Sequence, residues 1–226
     1  MPRHLLLIAF FLCCVTPALT QTPGRTAIKS DVAGTVVREP VPGDHWTYEV
    51  RDEILGTVRR TRTDLITDVS KAEIAVRVDV GDAGRPGQVI IYDRSWNVVR
   101  AEPFKYTPND GTGIQFPLTL NAQWKFAVDV LNAKSGITFR RTGTSRVVKQ
   151  ENITTKAGTF DTFLIETNFT GRLVQDPRLI NQNTWRTWFA PEINHWAKRS
   201  SIWQQSGHVV QSDTMELIKY GRRAEQ

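Results

Sequence analysis

Cysteine is nearly missing. The 226-residue chain has two, Cys13 and Cys14, and both lie inside an apolar N-terminal run. Everything downstream therefore lacks a disulfide, a thiol nucleophile and a thiolate metal site. Histidine is scarce as well. Past that run there are His45, His195 and His208, with no pair at i+2 or i+4. No local metal pair is formed, and the three are expected to be ordinary polar strand or turn residues. No Gly-x-Ser-x-Gly occurs, which excludes the strained nucleophile elbow of a serine hydrolase. Gly111 and Gly113 precede a strand rather than a helix, so they do not form a phosphate cradle. Asp161 and Glu166 sit five apart on one strand and face opposite sides, so they cannot act as a carboxylate pair. Asp161 is expected to close a turn. No catalytic residue, metal ligand or cofactor is expected, and the chain reads as a non-enzyme. Helical periodicity over three turns is missing, and so is an apolar run of about 20 residues, which excludes a transmembrane helix. No nucleic-acid reader motif is present, and nucleic acid is not expected as a partner.

What is present begins with an export signal. Arg3 and His4 give a basic start, and Leu5–Val15 is an unbroken apolar run of 11 residues. Pro17 breaks the run. Ala18 and Thr20 then place small residues three and one before a cut at Gln21. Residues 1–20 read as a secretory signal peptide. Leu12 before Cys13 does not suit a lipoprotein signal, which wants a small residue there. A disulfide-free exported protein must be held by its core, whereas many small secreted eukaryotic domains lean on disulfides. That favours a bacterial periplasm, with secretion as the alternative. The formal net charge is +6, in short scattered runs such as Arg59-Arg60 and Arg140-Arg141. Solvated strand faces account for these; attraction to anionic envelope polymers or headgroups is the sharper reading.

Residues 21–41 form a polar lead-in with Pro23, Gly24, Gly34 and Pro40 and a short edge strand at 34–38. Residues 42–221 read as a single β-domain. The segment 45–51 alternates, with Trp46, Tyr48 and Val50 on one face. Residues 57–69 form a long charged strand marked by Val58, Leu65 and Val69. Ile74, Val76, Val78 and Val80 share a face of the next strand. Further strands are expected at 88–92, 96–101, 123–131, 137–150, 158–173, 184–189, 196–205 and 208–220. In the strand after Lys156-Ala157-Gly158, Phe163, Ile165 and Thr167 face a core and Leu164, Glu166 and Asn168 face water. Residues 102–113 read as the longest loop and 174–183 as a polar crossing loop. Asn152 and Asn168 match glycosylation sequons, which in a bacterial envelope are chance matches. Ten to twelve strands with frequent turns imply an all-β fold: an antiparallel up-and-down, strongly curved sheet, as a half-barrel or closed barrel. A β-sandwich is the alternative.

Four marks carry a resemblance over roughly residues 42–221. They are Gly43-Asp44-His45-Trp46-Thr47-Tyr48, Phe116-Pro117-Leu118 followed by Trp124, Ala157-Gly158-Thr159-Phe160-Asp161 with Ile165-Glu166, and Trp188-Phe189-Ala190-Pro191 before Lys198. Together they resemble exported bacterial β-domains of unknown function, whose sheets look like the half-barrel lipoprotein carriers of the periplasm. The resemblance implies fold and compartment more than function.

The aromatic load points furthest towards function. All seven tryptophans lie beyond residue 20. Core packing of a curved sheet would use them. So would an apolar cavity, lined by Trp46, Tyr48, Trp124, Phe126, Trp185 and Phe189. The resulting expectation is a non-catalytic exported domain that binds an apolar or amphipathic envelope ligand, such as a lipid, inside a curved sheet. The alternative is a structural or assembly protein that meets an envelope partner through its basic face or a sheet edge.

Overall fold

The structure is a computed structural model that describes residues 37–81 and 87–222. The signal, most of the lead-in and most of the edge strand expected at 34–38 lie outside the described residues. Val37 and Arg38 are described and are not in a strand.

Twelve strands follow in order: β1 (His45–Asp52), β2 (Thr57–Val69), β3 (Glu73–Val80), β4 (Gln88–Asp93), β5 (Val98–Ala101), β6 (Phe104–Thr107), β7 (Gln123–Asn132), β8 (Ile137–Thr155), β9 (Gly158–Leu173), β10 (Ile180–Ala190), β11 (His195–Gln205) and β12 (His208–Gly221). Each pairs antiparallel with its sequence neighbours, and β12 returns to pair with β1, so the sheet closes into an up-and-down barrel. Closure removes the two edges of an open sheet, but β8 projects past β7, and its residues 149–155 pair with β9 alone. The outer wall carries charge across its strands. Arg186 Nε donates to Glu166 at 2.9 Å, Lys156 Nζ to Glu49 at 2.7 Å, and Lys198 lies 3.6 Å from Glu216. A lipid-facing band excludes such pairs, so this wall faces water. Among the described residues no helix is long and apolar enough to cross a membrane.

One end of the barrel carries the hairpin connections β1–β2, β3–β4, β5–β6, β7–β8, β9–β10 and β11–β12, two to seven residues each, and is called the hairpin end. The other end receives the longest connection, residues 108–122, with a 3-10 turn at Pro191–Ile193 and the short turns at 70–72, 94–97 and 156–157. The core cluster gathers near this second, loop-filled end: Trp46, Tyr48, Ile66, Ile74, Val76, Trp96, Ile114, Phe163, Phe189, Trp196 and Leu217. An eight-stranded barrel is about filled by its own side chains, and wider ones are not. Twelve strands need additional filling, and the loop 108–122 supplies part of it. Asp110, Gly111, Thr112, Gly113 and Ile114 are all buried. Asp110 Oδ1 accepts from the Val98 amide at 2.9 Å, and Oδ2 accepts from the Thr112 hydroxyl at 2.6 Å. Gly111 has φ +72° and lies against the Phe126 ring, where a Cβ would come within 2.4 Å of ring carbon. Only a residue without Cβ fits both the backbone and that contact.

Four expectations change. Residues 102–113 are not one loop, because Phe104–Thr107 pairs with β5 and β7 as a short strand. Residues 174–183 are not all loop, because β10 begins at Ile180. On β2 the inward face is Arg62, Asp64 and Ile66; Asp64 and Ile66 are fully buried and Val58 is exposed. Leu65 pairs with outward-facing His45 and so lies on the outer face. Opposite charges two apart on a strand share a face, and here that face is the interior. Asp161 does not close a turn. It sits within β9 and accepts from Gln150 Nε2 at 3.1 Å.

Candidate functional site

The six aromatic candidates all point inward but divide between two zones. Trp46, Tyr48, Trp124 and Phe189 belong to the buried core cluster. Phe126 and Trp185 are only half-buried. They flank Phe169 on β9, which the sequence reading did not single out. The Phe126–Phe169 centroids are 6.1 Å apart, and Trp185 stands edge-on to Phe169 at 5.6 Å. Register explains the grouping. Phe126, Gly143, Phe169 and Asn183 occupy one cross-strand row, and Trp124, Ser145, Thr167, Trp185 and Ser201 the next. Gly143 makes room between the two phenylalanines, since a Cβ there would sit 2.4 Å from Phe126 Cζ and 2.5 Å from Phe169 Cβ.

Between this aromatic row and the packed end lies a polar layer. Arg62 Nε donates to Asp64 Oδ1 at 2.6 Å and Nη2 to Oδ2 at 3.0 Å, a two-pronged pair. Burial works against the Arg62 charge, but Asp64, with Tyr92 and Tyr48 adding to it, raises the Arg62 pKa overall. The Tyr48 hydroxyl donates to the Trp196 carbonyl at 3.0 Å. Its one proton is then committed, so its oxygen accepts from His195 Nδ1–H at 2.6 Å. His195 stacks on Trp46 at 4.1 Å and lies 3.7 Å from the Trp196 ring. Arg199 Nε donates to Thr187 Oγ1 at 3.1 Å, and its guanidinium lies 3.7 Å over the Trp196 ring and 5.2 Å from Trp185. On the hairpin side of the aromatic row, Arg141 lies 5.5 Å from the Phe169 ring and 5.6 Å from Tyr106.

The electrostatics follow from burial. Desolvation pushes Tyr48 upward and Tyr92 up to about 12, with Asp64 adding to both. Burial also raises the Asp110 carboxyl, against the Thr112 hydrogen bonds. His195 is held well below the usual imidazole value, by burial first and then by the Arg199 and Arg62 charges. It is therefore a neutral hydrogen-bonding group at neutral pH. Among the described residues no cluster of His, Cys, Asp or Glu could hold a metal ion.

A pH prediction follows from His195. Its folded pKa lies below the unfolded value of about 6.5, so the unfolded chain takes up the proton first as pH falls. The His195 contribution is complete above pH ~6.5 and is lost below it at ~1.4 kcal/mol per pH unit until the folded pKa is reached. Unfolding free energies from urea titrations at several pH values between 7.5 and 5 should show this slope. His195→Gln should remove it. The difference between the two slopes isolates His195 from Asp110, whose raised carboxyl acts in the opposite sense. Equal slopes in the two proteins would refute the assignment.

Arg62 and Arg199 have protein around them on all sides, yet neither is closed off. The Arg62 side chain keeps 22% of its surface exposed, and Arg199 is likewise only half-buried. Accessible surface on these inward-facing groups shows that space a water molecule can enter reaches their level of the barrel. The sequence reading missed Arg62, Asp64, Arg141, His195 and Arg199. For Arg62 and Asp64 the i, i+2 pattern of opposite charges was a usable signal. For His195 and Arg199 the register shift between Trp188 and Phe189 displaces the alternation, so their side could not be read from spacing.

Fold and interior define a class: a closed, water-facing, up-and-down β-barrel with an arginine-bearing, aromatic-lined interior. Among solved structures the chain is similar to a lipoprotein candidate from Parabacteroides distasonis, at 13% identity and TM-score 0.51, covering 85% of this chain and 100% of that one. It is also similar to a candidate exported protein with a YmcC-like fold from Bacteroides fragilis, at 11% identity and TM-score 0.41, with 83% and 99% covered. A third is the hypothetical lipoprotein YmcC of Escherichia coli, at 9% identity and TM-score 0.48, with 81% and 87% covered. The first likeness shows a shared fold and no more. No protein-family model and no curated protein matches the sequence.

Proposed function

We propose that this protein is an exported, non-catalytic binding barrel of the bacterial periplasm that holds an apolar or amphipathic envelope molecule inside its sheet. One observation carries the reading. Phe126 and Phe169 in one inward row and Trp185 in the next form an aromatic patch, of which Phe126 and Trp185 remain half-buried. Inward aromatics that a protein needs only for its core are covered, as Trp46, Phe189 and Trp196 are. The export signal read at residues 1–20 supports the compartment, and so does the lipoprotein description of the Parabacteroides neighbour. The assembly alternative keeps a sheet-edge form, because residues 149–155 of β8 pair with β9 alone.

The test is native mass spectrometry of the chain from Gln21 onward, purified from a bacterial periplasm without detergent, together with solvent extraction. A stoichiometric lipid-like adduct is expected, and Trp185→Arg should lose it while keeping the wild-type melting curve to within a few degrees. Trp185 is the position to change because Trp124 is part of the closed core. A clean unliganded mass, with no thermal shift on adding lipids, would remove the binding reading.

A further inference from the structure

Asp52 and Asp213 are buried inside the barrel and share Arg59, and beyond these charges the interior holds cations that make no ion pair among the described residues. Arg62 is matched by Asp64. Arg141 and Arg199 remain, with Asp110 the other carboxylate whose field reaches both. Neither arginine makes an ion pair among the described residues. Asp110 is further occupied by the Val98 amide and by Thr112. Asp110 can balance at most one of the two guanidinium charges.

Arg199 is the better placed to receive an anion. Its Nε is committed to Thr187, and its Nη nitrogens have no partner among the described residues. These nitrogens are also not sealed in: the closed-off side-chain atoms lacking a partner are Trp124 Nε1, Trp196 Nε1 and Asp213 Oδ1. The guanidinium plane is held by the Trp196 ring at 3.7 Å on one side and approached by Trp185 at 5.2 Å. A guanidinium fixed in this way presents two parallel N–H donors, the geometry that a carboxylate accepts. Burial draws its pKa down to about 10, so it keeps its charge at neutral pH. Trp185 joins this cation to the aromatic row, since it also meets Phe169 at 5.6 Å.

We propose that the barrel binds a single-chain acyl carboxylate, with the carboxylate on the Nη edge of Arg199 and the acyl chain along Trp185, Phe169 and Phe126. The assignment rests on the binding reading above and adds the headgroup to it. Two parallel N–H donors on one guanidinium match one carboxylate, and with the Asp213 carboxylate buried in the neighbouring row a phosphate monoester dianion would bring more negative charge than Arg199 can hold. The half-buried rings offer the apolar surface that a chain would cover, and they lie one to two cross-strand rows nearer the hairpin end than Arg199.

The test compares three probes of equal chain length, dodecanoate, dodecanol and dodecyl phosphate, by titration calorimetry at pH 7.5 on the chain from Gln21 onward. Dodecanoate should bind ~10–100-fold tighter than dodecanol, the range expected for charge-assisted hydrogen bonds in a partly dry site. Arg199→Met should erase that preference while leaving dodecanol affinity unchanged, and Arg141→Met should leave the preference in place. Equal affinity for dodecanoate and dodecanol in the wild-type protein overturns the inference, even if Arg199→Met fails to fold. So does a preference for dodecyl phosphate, or a preference lost with Arg141 instead of Arg199. If no probe binds at all and no native adduct is found, the binding reading itself falls and takes the headgroup with it.

Discussion

Asp64→Ala is expected to destabilise the barrel by about 3–5 kcal/mol, because it leaves the Arg62 guanidinium inside the barrel without its counter-charge. Asp64 is fully buried, and both of its oxygens are engaged by Arg62. The arginine cannot escape the cost by losing its proton, since a guanidinium stays charged throughout the working pH range. Nor can it turn to another carboxylate nearby. Asp110 is tied to Thr112 and the Val98 amide, and Asp52 is held by Arg59 at the hairpin end. The double change Arg62→Met, Asp64→Leu should recover most of the loss, because it removes both charges and fills the space with apolar atoms. Urea unfolding of the three variants measures this directly. A loss below ~1 kcal/mol for Asp64→Ala would mean that Arg62 is solvated as a surface residue is, and that the interior at this level is open water.

The outer architecture was legible because most strands follow the alternation that a half-buried sheet imposes. Trp46, Tyr48 and Val50 on β1, Ile74, Val76 and Val78 on β3, and Phe163, Ile165 and Thr167 on β9 are buried as their spacing requires, whereas Val80, expected inward with the β3 set, is exposed at the strand's end. The turn at Lys156-Ala157 and Gly158, with φ +135°, followed from glycine alone. The charged interior was not legible by the same rule, which sends arginine and aspartate outward. On β2 the apolar marks Val58, Leu65 and Val69 do not share one face and so name no inward side; Val58 is exposed, Val69 packs against the core, and the buried Asp64 is not among these marks. The loop 108–122 failed for a different reason. Its prolines and glycines mark it as irregular, but whether it lies over the barrel or inside it depends on the width of the closed sheet. That width is a property of twelve strands together and not of any segment. Trp96 is a third case. It lies in a turn at φ +61°, where a bulky residue is uncommon, and sends its indole N–H 3.0 Å to Asn194 Oδ1 across the barrel end. Nothing in its neighbours announces that partner, 98 positions away in the chain.

Trp196→Ala should cost about 3–5 kcal/mol, the usual range for removing a buried aromatic side chain, and the loss should spread beyond the cavity it leaves. Trp196 is almost fully buried and touches the three groups that organise the polar layer. Its ring carries the Arg199 guanidinium at 3.7 Å and meets the His195 ring at 3.7 Å, while its backbone carbonyl takes the Tyr48 proton. Trp196→Phe separates the contributions. The Trp196 N–H has no hydrogen-bond partner among the described residues, so phenylalanine gives up no bond there. It keeps the carbonyl and an aromatic face for Arg199. Its cost should therefore stay below about half that of alanine, as a partial loss of ring volume and of cation–π attraction. Chemical denaturation gives both numbers. If phenylalanine costs as much as alanine, the indole makes an essential contact through its N–H or its second ring, and the account of Trp196 as a platform for Arg199 and His195 is wrong. If both are mild, the packed end of the barrel is looser than its burial implies, and the boundary between a filled end and an open one, on which the binding reading depends, moves deeper into the barrel.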